Sequence, residues 1–133
     1  MNIQEDFVSF ETAKLLKEKG FDEITFTWYN GKGKFCVGKN NYDDYYMNHF
    51  PIMEKNKNKC SAPTLQMAMK WLRKNHQIFI RPNTSFLYPI KWYSEIFCYG
   101  DNLKTQQDIK TEYYDSPEEA CEAAIKYCLE HLI

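Results

Sequence analysis

The stretch SPEEACEAAIKYCLEHLI, Ser116 to Ile133, reads first and most plainly as helix. Ser116-Pro117-Glu118-Glu119 is a capping box with proline at the first helical position. The serine oxygen can accept from the N–H of Glu119, while the Glu119 carboxylate reaches back to the amide of Ser116. Ala120, Ala123, Ala124, Tyr127 and Cys128 recur at helical spacing, so one stripe has to meet a core.

Two more helices precede it. Over Ser9 to Lys19, Ser9 is a candidate N-cap, and Ala13 and Leu16 with Phe10 or Leu15 form the apolar stripe. Lys17 and Lys19 suit the negative end of the dipole, Gly20 suits the left-handed position past the end, and Phe21 packs back on the last turn. Pro63 to Lys74 is the second: Leu65, Ala68, Met69 and Leu72 stand at i, i+3, i+4 and i+7, with Trp71 at the stripe's edge.

Strands fill the gaps. Ile24 to Tyr29 alternates apolar residues with threonine, Asn30-Gly31 is a strong hairpin signal, and Lys34 to Val37 returns antiparallel. Gln77 to Arg81 reads as a short strand broken at Arg81-Pro82-Asn83-Thr84. Phe86 to Tyr99 is the longest β-like run, its early part held to an edge by Pro89. Gln107 to Tyr114 returns after the Gly100-Asp101-Asn102 turn. Residues from about 38 to 60 give no clear periodic signal and end in the polar run Glu54 to Lys59, which predicts a mobile loop. The expectation is a single α+β domain over 1–133, in the order α-β-β-α-β-β-β-α. Its antiparallel sheet of about four to five strands is packed by three helices in two layers.

Composition narrows the function classes. The 133 residues carry a net charge of -1, so no whole-molecule field draws nucleic acid or an anionic membrane. Aromatics at 17%, ten of them tyrosine, argue against disorder and for half-buried faces. No apolar run reaches membrane-spanning length. Met1 to Asp6 lacks the basic and apolar regions of a secretory signal, so a cytoplasmic protein is expected. Five cysteines, Cys36, Cys60, Cys98, Cys121 and Cys128, form an odd set without short paired spacing, and are expected to be reduced.

Catalytic constellations are absent from the sequence. No Cys-x-x-Cys or His-Glu-x-x-His spacing is present. Cys121, Cys128 and His131 fit ordinary amphipathicity better than a ligand set. His49 and His76 have no partner motif, and Asp43-Asp44 and Glu118-Glu119 are merely adjacent acids. Gly31-Lys32-Gly33-Lys34 lacks the spacing of a phosphate loop, and a hairpin turn accounts for it. No catalytic residue, metal ligand or cofactor is therefore expected. Nucleic-acid binding is the best-supported chemical alternative. Trp28, Tyr29, Lys32 and Lys34 cluster around one hairpin, with Arg81 and Lys91 as possible extensions, combining stacking faces with phosphate-seeking charge.

Three segments also carry a resemblance. Ala62-Pro63-Thr64-Leu65-Gln66-Met67-Ala68-Met69-Lys70-Trp71-Leu72-Arg73, together with Phe7 to Phe21 and Tyr114 to Ala120, resembles a family of small uncharacterised proteins of bacteriophages and prophages of gut anaerobes. The likeness covers the three helices in order. It implies a phage or mobile-element origin and brings no activity or site residues with it. The expected function is non-enzymatic binding of a protein partner, with nucleic acid as the alternative and no membrane.

Overall fold

The computed structural model describes residues 4–38, 46–48, 58–86, 88–99 and 106–133. The expected loop at about 38–60 lies largely outside them, as do Asp43, Asp44 and His49. The described elements are α1 (Phe10–Glu18), β1 (Thr27–Tyr29), β2 (Phe35–Val37), β3 (Cys60–Ser61), α2 (Leu65–His76), β4 (Ile78–Thr84), β5 (Trp92–Tyr99), β6 (Gln106–Lys110) and α3 (Pro117–His131). The class is α+β with antiparallel sheets. Instead of one sheet of four to five strands there are two of three, ordered β2-β1-β3 and β4-β5-β6. The chain divides into two compact units, Met1–Thr64 and Leu65–Ile133.

In the first unit, Ser9 caps α1 by accepting from the N–H of Thr12 at 3.2 Å. At the far end the N–H of Gly20 donates to Lys17 O and that of Phe21 to Leu16 O, the paired bonds of a Schellman motif. Gly20 has φ +95, a left-handed backbone that glycine adopts without steric cost. Phe21 is fully buried, so the motif sets both the helix end and a core anchor. β1 pairs with β2 through Trp28↔Cys36 and with β3 through Trp28↔Ser61. β3 begins at the end of the stretch expected to be loop. Asn48 helps to hold it, accepting from Ser61 N–H at 2.8 Å and donating to Phe21 O at 2.7 Å.

In the second unit, α2 and α3 pack together, and α3 also covers β4 and β5. Ser116 accepts from Glu119 N–H at 3.1 Å, as the capping box requires. The Glu119 carboxylate, however, accepts from Asp115 N–H at 3.3 Å, one residue before the position expected. Leu65, Ala68, Trp71 and Leu72 are the buried residues of α2; Trp71 is more deeply seated than an edge position. Facing them are Ile78 and Ile96, and from α3 Ala120, Cys121, Ala124, Ile125, Cys128 and Leu129.

Two strand boundaries differ from expectation. β4 does not break at Arg81 but continues to Thr84, through Pro82 paired with Ser94. Thr111 N–H donates to Ser94 O at 2.9 Å, and Ser94 N–H donates to Thr111 Oγ1 at 2.8 Å, so the backbone of Ser94 is turned toward the β6 side. Its partner Pro82 therefore points its nitrogen out of the sheet, where the missing N–H breaks no ladder bond. Conversely, β5 begins only at Trp92. Phe86 and residues 88–90 are not strand but belong to the projecting end of the β4–β5 connection. Its base is fastened where Ser85 N–H donates to Lys91 O at 2.8 Å and Lys91 N–H to Ser85 Oγ at 3.1 Å.

Candidate functional site

The β1–β2 hairpin uses most of its aromatic surface internally. Asn30 Oδ1 accepts from the N–H groups of Lys32 and Lys34 at 2.9 and 3.0 Å, and Gly33 takes φ +82 to close the turn. A Cβ on Gly33 would lie 2.7 Å from Phe10 Cδ2, so the turn is pressed against α1. Tyr29 stacks with Phe10 at 5.4 Å and Phe35 at 5.6 Å, and donates its hydroxyl to Val8 O at 2.6 Å. Phe7 adds to the cluster at 5.0 Å from Phe35. Trp28, one residue along the strand, faces the other side, near the Tyr46 ring at 6.3 Å with Lys59 Nζ 5.7 Å from its centroid. Strand alternation thus separates Trp28 from Tyr29, while Lys32 and Lys34 are exposed.

Arg81 and Lys91 stand in the second unit, each with an acid. Arg81 Nη2 lies 3.1 Å from Glu95 Oε1, and Lys91 pairs with Asp115. Glu95 is the hub of the sheet face turned away from α3. It occupies one rung with Arg81 and Lys110, and Asn83 Nδ2 donates to the same oxygen at 3.0 Å. The Asn83 and Arg81 hydrogen bonds, with the neighbouring Arg81 and Lys110 charges, hold its carboxyl below the usual range despite opposing burial. On either side of this polar rung stand rings. Phe97 has the Arg81 guanidinium 5.5 Å from its centroid, Phe79 and Tyr99 meet edge-on at 5.8 Å, and Tyr93 and Tyr113 at 5.4 Å. Phe79 and Tyr113 are 39% and 62% exposed.

Beyond this face projects the tip of the connection, where Phe86 is 97% exposed, Tyr88 94% and Ile90 60%. This is the largest display of apolar side chain among the described residues, at positions where the alternating pattern of Phe86 to Tyr99 predicts a strand. Large rings held almost wholly in water are the informative exception to ordinary burial.

Cys60, Cys98, Cys121 and Cys128 are poorly suited to nucleophilic chemistry. Burial pushes Cys128 up to about 12 and Cys60 up to about 11, and raises Cys98 and Cys121 as well, whereas attack needs the thiolate. Cys121 and Cys128 are buried on α3, while His131 is exposed beside Tyr127 and Glu130. Burial lowers the pKa of His76, which stacks against Trp71 at 4.9 Å. Among the described residues no group of three or more His, Cys, Asp or Glu side chains is placed to hold a metal ion. No described helix is long and apolar enough to cross a membrane.

What fold and surface define is an α+β chain with an aromatic, partly polar sheet face and an exposed apolar tip. No protein-family model, curated protein or solved structure matches it.

Proposed function

We propose that this chain is a non-enzymatic binding protein of the cytoplasm, of phage or mobile-element origin, whose tip between β4 and β5 enters an apolar pocket of a protein partner. The carrying observation is the exposure of Phe86, Tyr88 and Ile90 above a fastened base. Burying a large apolar side chain is worth roughly 2–3 kcal/mol, so two rings can anchor an interface. Holding the base in place in advance lowers the ordering cost of binding. A photo-crosslinking amino acid at Phe86, in cells making the protein, should yield a discrete protein adduct absent when the same group replaces Lys32. The Phe86→Ala/Tyr88→Ala pair should loosen the purified complex by about a hundredfold or more. Equal labelling from both sites would sink this reading.

A second reading, nucleic-acid binding, draws on the sheet face, where Arg81 over Phe97 and the flanking Tyr93 and Tyr99 combine cation and ring. Phosphate contacts make such binding fall steeply with salt. Oligonucleotide titration at two salt concentrations separates the readings; no binding at low salt removes this one.

A further inference from the structure

The sheet β4-β5-β6 has two borders of different chemistry. Along β6, alternation turns the backbone groups of Ile109 and Thr111 toward β5, as the Thr111 N–H to Ser94 O bond fixes. The N–H and C=O of Gln106, Asp108 and Lys110 therefore point outward along the border. The side chains of Asp108 and Lys110 are exposed and stand on the face away from α3, Asp108 beside Phe97 and Lys110 beside Glu95. The β4 border presents Pro82 in the corresponding place, without a donor.

This charge order is complementary to itself in one register. When a second β6 lies antiparallel with Ile109 opposite Ile109, Asp108 faces Lys110 of the second copy, and Lys110 faces its Asp108. Both rungs are ones at which the two strands exchange hydrogen bonds. Centring the pair on residue 108 or 110 instead sets like charge against like, which is unfavourable. We propose that β6 is a self-association edge, joining two copies of this chain antiparallel about Ile109 into one continuous sheet. In that arrangement Asp108 gains a cation its own rung lacks, and Lys110 lies between two carboxylates. The competing border, β2, offers outward backbone at Phe35 and Val37 only within its described length.

A strand border alone covers less than the roughly 800 Å² per partner of a standard interface, so the dimer is weak and salt-sensitive. Sedimentation equilibrium on the full chain, from about micromolar to millimolar concentration, should show dimerisation that weakens with salt. Asp108→Lys and Lys110→Asp, tested singly, should each loosen self-association by about tenfold or more, because both rungs become repulsive. An equimolar mixture of the two variants should recover dimers, since each then faces its opposite charge. That recovery also shows both variants to be folded. A wild-type chain that stays monomeric overturns the proposal. So do single variants that dimerise as tightly as wild type, a mixture that fails to recover, or a dimer insensitive to these changes but lost in Val37→Lys.

Discussion

The β1–β2 and β4–β5 hairpins put similar residues to opposite uses. In β1–β2, a turn closed by Asn30 and Gly33 folds Tyr29 and Phe35 back upon Phe7 and Phe10, leaving Phe35 partly exposed beside Lys32 and Lys34. In β4–β5, a connection fastened at Ser85 and Lys91 holds Phe86 and Tyr88 away from the protein. Aromatic content by itself therefore does not mark a binding surface. Turn length and the presence of a helix within reach decide which rings build the fold and which stay in water.

The contrast breaks most severely at the inward-facing side. Phe21→Ala removes a fully buried ring and should cost about 3–5 kcal/mol, read as a lower midpoint in urea unfolding. Gly33→Ala should follow at about 1–3 kcal/mol, because the new methyl meets the Phe10 ring at a left-handed backbone position. Nuclear magnetic resonance shifts of Phe10 and Tyr29 should move with it; an unchanged midpoint would show the turn to be looser than described.

On the sheet face, Glu95 has a depressed folded pKa, so its contribution is present above the unfolded carboxyl value of about 4.3 and is lost as pH falls through the lower, folded one. Glu95→Gln should flatten the acid limb of the stability–pH curve below about pH 4.3, while acting little on its shape at neutral pH. An unaltered acid limb would assign that dependence to other carboxylates. Smallest of all, Phe86→Ala should stay within about 0.5 kcal/mol of wild type, since its ring touches almost nothing. A large loss there would mean that the tip packs within the molecule, and would remove the main support for a docking role.

The parts legible in the sequence were those governed by neighbours a few residues apart. Ser9 and Ser116 cap helices, Gly20 ends one, and Asn30-Gly31 turns a hairpin, because each is a local hydrogen-bond or φ requirement. What depended on distant pairing was not legible. Cys60–Ser61 became a strand only by meeting β1, and its polar surroundings gave no periodic signal. Pro82 looked like a breaker until an edge position excused its missing N–H. The apolar order of Phe86, Tyr88 and Ile90 fits one face of a strand, so period alone could not distinguish a core element from an exposed tip. Sequence neighbourhood groups Trp28 with Tyr29 although adjacent strand residues face opposite ways, and nothing local to Arg81 or Lys91 marks their acids Glu95 and Asp115.

Pro82 bears finally on how far such a sheet can grow. With one flank interrupted at Pro82 by a residue that offers no hydrogen, addition of strands is less favoured there than at the opposite flank. Were that flank occupied by a copy of itself, each outer margin of the enlarged sheet would carry one proline among its outward positions, which weakens further strand addition there.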